Sequence, residues 1–160
     1  MSLRVNLRRR WLLTAAAAVA LPAWATRAAK GGKPMVEVWK SPSCGCCGDW
    51  IKHLEANGFE VKAFDVDDAS KVRRRVGFAD KYGSCHTALV GGYALEGHVP
   101  AREIKRLLNE KPQGVVGIAV PGMPLGSPGM DGPIYGGQKT PYDVVLVKRD
   151  GSASVYQSYR

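Results

Sequence analysis

Apolar and polar residues alternate over Met35-Val-Glu-Val-Trp39, the period of a half-buried strand, and Ser41-Pro42-Ser43 ends the run with turn and cap residues. The period then changes: Cys47, Trp50, Ile51 and Leu54 recur at i, i+3, i+4 and i+7, one apolar stripe of a helix that Asn57-Gly58 closes. Glu60 to Val66 predicts a second strand. Asp67 or Asp68 is placed to cap a short helix through Val72 and Val76, ending near Gly77. Thr87 to Val90 and Tyr93 to His98 read as two strands across Gly91-Gly92, a hairpin signal. A third helix opens with Pro100 near its first turn, carries Ile104, Leu107 and Leu108 on one side, and stops before Pro112.

The order strand, helix, strand, helix, strand, strand, helix predicts an α/β domain: a parallel first strand–helix–strand unit with a right-handed crossover, then an antiparallel hairpin. From Gly114 to Pro141 glycine and proline dominate, and Pro121-Gly-Met-Pro-Leu-Gly-Ser-Pro-Gly-Met130 holds Met123 and Met130. Such a composition predicts neither a helix nor a central strand. Asp143 to Arg149 and Ser152 to Tyr159 read as a closing C-terminal β-hairpin turned at Asp150-Gly151.

The first 25 residues stand apart. Arg4, Arg8, Arg9 and Arg10 precede the apolar run Trp11–Leu21, whose 11 residues are too few for a membrane span, which needs about 20. Ala23-Trp24-Ala25 follows as a small-residue cleavage site. This layout predicts a signal peptide over residues 1–25, export to the periplasm by the Sec or twin-arginine route, and no stable membrane anchor after cleavage. Residues 26–34 read as a linker and 35–160 as the domain. The formal net charge of +9 changes meaning accordingly: removing those four arginines from 23 basic residues leaves 19 against 14 acidic, or +5. The remaining basic residues are scattered, apart from Arg73-Arg74-Arg75, which read as the solvated face of a helix. Without interleaved aromatic residues they form no stacking platform, so no nucleic-acid partner is expected.

The chemistry concentrates in Cys44-Gly45-Cys46-Cys47, between the first strand and the first helix, and in Cys85, the only other cysteine. Backbone N–H groups at a helix start favour the thiolate, which is both the nucleophile and the metal ligand. Cys44 and Cys47 have Cys-x-x-Cys spacing, which in this context reads as a redox or metal motif. Structural disulfides are the alternative in an oxidising compartment.

Three motifs in order, Ser41-Pro-Ser-Cys-Gly-Cys-Cys-Gly48, Gly91-Gly-Tyr-Ala-Leu-Glu-Gly-His-Val-Pro100 and Pro121–Met130, resemble the CopG-like family of periplasmic metal-binding proteins associated with copper resistance. The resemblance runs from about residue 35 to the end. It implies a thioredoxin-like mixed sheet flanked by helices, with copper held by Cys44, Cys46, Cys47 and Cys85. The place before the third strand, where thioredoxin-like folds commonly carry a cis-proline, holds Ser84-Cys85-His86-Thr87. This departure predicts a fourth thiol facing the first three and weakens an ordinary disulfide-exchange role.

Thiolates select Cu(I), zinc or iron–sulfur clusters. Adjacent Cys46 and Cys47 wrap poorly around one tetrahedral ion, so bridging thiolates between several Cu(I) ions fit better than structural zinc. His86, beside Cys85, joins the candidate ligands. Met123 and Met130 offer thioethers, with core filling as their alternative. His98, next to Gly97 and Pro100, reads as a turn-stabilising residue, with ligation as the alternative, and His53 as solvated on the polar side of the first helix. The expected function is copper binding in resistance, with cycling between Cu(I) and Cu(II) as a further activity of the same site, and with copper ions and other periplasmic copper-handling proteins as partners. The rival is a thiol-disulfide oxidoreductase with Cys44 as nucleophile and Cys47 as resolving thiol.

Overall fold

The computed structural model describes residues 32–160. The arginine-led apolar run, its cleavage site and the linker up to residue 31 lie outside the described residues. No helix among those described is long and apolar enough to cross a membrane.

Seven strands form one mixed sheet: β1 (Met35–Lys40), β2 (Glu60–Asp65), β3 (His86–Val90), β4 (Tyr93–Glu96), β5 (Val115–Ala119), β6 (Tyr142–Lys148) and β7 (Ala153–Tyr159). Their spatial order is β2-β1-β3-β4-β5-β6-β7. β1 and β2 run parallel around helix α1 (Gly45–Ala56), whereas β3 and β4 form the expected antiparallel hairpin. Helix α2 (Ala69–Arg75) starts at Asp68, whose carboxylate accepts the Ser70 N–H at 2.9 Å, and α3 (Ala101–Glu110) ends just before Pro112.

The core follows from the two periods. Trp50 and Leu54 of α1 and Ile104 and Leu107 of α3 pack with Val36, Val38, Leu95 and Ile118 on one face of the sheet. Ala94 and Ala119, each one residue out of step with Leu95 and Ile118, point to the other face, where Phe78, Tyr82 and Val147 cover them.

Two expectations are corrected. Val115–Ala119, at the start of the Gly/Pro-rich segment, is a central strand, parallel to β4 and antiparallel to β6. Val-Val-Gly-Ile-Ala is a short, continuous apolar run suited to a strand buried on both faces. Its glycine permits the pairing, because a Cβ at Gly117 would lie 1.7 Å from the Ala94 carbonyl oxygen. Arg73 is not solvated either. Its side chain is 11% exposed and reaches Glu96 at 3.1 Å and Asp80 at 3.3 Å, leaving only Arg74 and Arg75 of the basic triplet on the surface.

Candidate metal centre

The turn Ser41-Pro42-Ser43 brings the chain from β1 to the N-terminus of α1, where Cys44 is the N-cap residue and Cys46 and Cys47 lie in the first turn. Cys47 belongs to the buried stripe with Trp50 and Leu54, and this fixes the rotation of the helix. Cys44 and Cys47 are joined as a disulfide, while Cys46 and Cys85 are free thiols. Cys46 Sγ lies 3.6 Å from Cys44 Sγ. Cys85 enters from the start of β3, and the sulfur atoms of Cys44, Cys46, Cys47 and Cys85 all lie within 4.8 Å of one another. The expected convergence of four cysteines is present.

A second donor group shares Cys85. The ring nitrogens of His86 and His98 lie with its sulfur inside the same 4.8 Å limit, His98 Nε2 at 3.0 Å and His86 Nδ1 at 3.4 Å. His98 Nδ1 sits 2.7 Å from the Pro128 carbonyl oxygen. A carbonyl only accepts, so Nδ1 carries the hydrogen and Nε2 turns its lone pair to Cys85. His98 thus makes the loop contact expected of a turn residue and also faces the site. His86 packs on Trp50, with ring centroids 4.2 Å apart, and its Nε2 is buried without a hydrogen-bond partner.

This pocket disfavours charge on each of these donors. Burial, reinforced by Cys46, pushes the Cys85 thiol up to about 12. Burial, together with neighbouring His98, pushes His86 down to about 3. Burial also lowers His98, against the opposing pull of the Pro128 carbonyl and Asp131. The metal-free site therefore holds a neutral thiol and two neutral imidazoles, and a cation bound by Cys85 must displace its proton.

The Gly/Pro/Met loop closes one side. A Cβ at Gly129 would lie 2.7 Å from both the Cys46 carbonyl oxygen and the Trp50 nitrogen, so the loop backbone lies directly on α1. Met130 is buried in this segment at 9% exposure, whereas Met123 is 51% exposed. His53 is corrected: it is half-buried and its Nε2 accepts the Ala101 N–H at 3.1 Å. It satisfies a free N–H in the first turn of α3, where Pro100 at the N-cap supplies no side-chain acceptor.

A mixed sheet presenting thiols from a helix start against a thiol and two imidazoles from a hairpin defines a protein with a centre that could bind a soft metal ion. Two solved structures of copper resistance protein CopG are similar to this chain. Form 2 is 46% identical with a TM-score of 0.74, the match covering 80% of this chain and 99% of that one. Form 1 is 47% identical with a TM-score of 0.72, covering 79% and 98%. The family DUF411, described as a protein of unknown function, matches residues 82–130, from the end of the turn before Cys85 to Met130. No curated protein matches the chain. The chain belongs to the CopG family of copper resistance proteins.

Proposed function

We propose that this protein binds Cu(I) in the periplasm as part of copper resistance, holding more than one ion through Cys44, Cys46, Cys47 and Cys85. The observation that carries this reading is the approach of four sulfur atoms within 4.8 Å, with two imidazoles adjoining Cys85. Thiolates suit Cu(I), and adjacent Cys46 and Cys47 suit bridging. His98 and His86 complete the donor set. Met123 and Met130 tune it, a role supported by the seating of their loop on α1 and on His98. Cys44 and Cys47 become donors only after a dithiol reductant exchanges with their disulfide, leaving two thiols here and a disulfide on the reductant. Until then Cys46, Cys85 and the two histidines are the donors in place. Copper arrives from and leaves to other periplasmic copper-handling proteins. The periplasmic location rests on the charged, apolar and small-residue layout of residues 1–25.

The deciding measurement is the copper, zinc and iron content of protein purified anaerobically from the periplasm. Copper above one equivalent per chain is the expected result. Predominant zinc, or metal-free protein, overturns the reading.

The Cys44–Cys47 disulfide favours one rival, a thiol-disulfide oxidoreductase. In that reaction the Cys44 thiolate attacks a substrate disulfide, and Cys47 then releases the reduced substrate as the Cys44–Cys47 bond forms. Reduced protein is expected to be a poor insulin-disulfide reductase. Turnover comparable to an ordinary thioredoxin, abolished by Cys44→Ser, would make this rival the better reading.

A further inference from the structure

The segment Ser84-Cys85-His86-Thr87 supplies a thiol and an imidazole to the candidate centre, and one buried carboxylate grips it at both ends. Glu96, fully buried, accepts the Ser84 N–H on Oε1 at 2.7 Å and the Thr87 hydroxyl on Oε2 at 2.6 Å. Arg73 Nη1 donates to the same Oε1 at 3.1 Å and is itself held by Asp80, so the buried charge is paired. The absence of a side chain at Gly83 makes room for this arginine, because a Cβ there would lie 2.9 Å from Arg73 Cζ. Two residues beyond Glu96 on the same chain stands His98, whose Nε2 meets Cys85 Sγ. Ser84 Oγ adds a hydrogen bond to the Gly122 carbonyl and ties the segment to the methionine loop.

We propose that Glu96 is a positioning residue for the metal centre, its carboxylate bracketing Ser84 and Thr87 so that Cys85 is held against His98 before any ion arrives. The proposal rests on the metal-binding reading for its purpose, although the bracket itself can be tested without metal. Glu96 touches no candidate donor atom in the structure and acts through the backbone of Ser84 and the side chain of Thr87. A carboxylate suits this work because it accepts from two directions at once and hydrogen bonds to an ionised acceptor are the stronger kind.

The test compares Glu96→Ala and Thr87→Val with the wild type. Thr87→Val removes one arm, leaves the Glu96–Arg73 pair in place, and serves if Glu96→Ala fails to fold. In reduced, metal-free protein, iodoacetamide labelling mapped by mass spectrometry is expected to modify Cys85 about tenfold faster in the variants, the effect of one lost hydrogen bond on a local opening. The Cys46 rate should stay at its wild-type value. In Cu(I) competition titrations, Glu96→Ala is expected to weaken binding about 10- to 100-fold, the cost of losing a partner behind a metal ligand. In a Cys85→Ser background the same change should cost clearly less than in the wild type, because only His86 is then left for the bracket to hold. A uniform rise in labelling of all thiols, an unchanged Cys85 rate in both variants, or an additive loss of affinity overturns the proposal. If wild-type protein binds no copper, the metal-binding reading falls, and the labelling pattern alone decides the bracket.

Discussion

The two walls of the centre are built in opposite ways. The α1 wall carries three cysteines within four consecutive residues, partly open to solvent, and its geometry is local: a strand end, a turn and a helix start. The hairpin wall takes Cys85 from just before β3, His86 from its first position and His98 from beyond β4, buries both imidazoles completely, and depends on strand register. The first wall leaves Cys44 and Cys46 partly open and turns Cys47 into the core. The second exists only when the sheet is assembled, and it is the wall that holds its donors neutral.

The strongest way to break this contrast is to remove one thiol from each wall. Cys85→Ser is expected to weaken Cu(I) binding as severely as Cys46→Ser, each by more than the roughly 10- to 100-fold that loss of an outer partner costs. Titration of both variants against a Cu(I) chelator checks this, and wild-type affinity in Cys85→Ser would remove the hairpin wall from the site.

His98→Ala should come next, with about a tenfold or greater loss in the same titration if Nε2 is a donor. His53→Ala, about two helical turns along α1 from Cys46, is expected to bind copper like the wild type while losing some stability at the start of α3, where its ring accepts the Ala101 N–H. Equal copper affinity in His98→Ala and the wild type would reduce His98 to the loop contact with Pro128.

Acid should separate the walls without mutation. His86 and His98 have native pKa values below the unfolded value near 6.5, so below that pH the unfolded chain binds more protons than the native one. Their contribution to stability is complete above pH 6.5 and is lost as pH falls toward about 3 for His86. Urea titrations of metal-free protein should show stability falling by about 1.4 kcal/mol per pH unit for each histidine that stays neutral. His86→Phe should remove one share of that slope. A slope unchanged by His86→Phe would mean that this ring is already protonated in the native protein.

The smallest effect is expected from Met123→Leu combined with Met130→Leu, which keeps apolar bulk and removes sulfur. Near-normal folding with weaker Cu(I) retention, or faster oxidation of bound copper in air, is the expected outcome. Thermal destabilisation with wild-type affinity and air sensitivity would make both methionines packing residues.

Legibility in the sequence divides along the same line. Spacing alone placed Cys44, Cys46 and Cys47 at a strand-to-helix junction, and period changes located β1, α1 and β2. β5 was hidden because its apolar run opens a segment otherwise rich in glycine and proline, and Arg73 because a charge triplet does not reveal which member finds a buried partner. The place of His98 follows from the hairpin register. A two-residue turn at Gly91-Gly92 pairs Val90 with Tyr93 and Thr87 with Glu96. Continuing that register brings Gly97 opposite His86, where the Gly97 N–H bonds the His86 carbonyl at 3.0 Å, and His98 opposite Cys85. What no pattern exposed is the convergence of Arg73, Ser84 and Thr87 on Glu96, since it needs α2, the turn before β3 and the hairpin to be docked together.

Gly129 has a consequence for how this loop tolerates change. Its φ of +84° and its contact with the backbone of α1 leave no room for any side chain, whereas Gly132, with φ −69° and nothing within 4 Å, has both an ordinary conformation and open space. In a library of all single substitutions, position 129 should be as intolerant as the densest part of the interior, while position 132 accepts most residues. The loop's glycines are therefore not interchangeable spacer. One of them is a seat cut to the backbone of the helix that carries the cysteines, and transplanting Cys-x-Cys-Cys to another strand–helix junction would leave that seat behind.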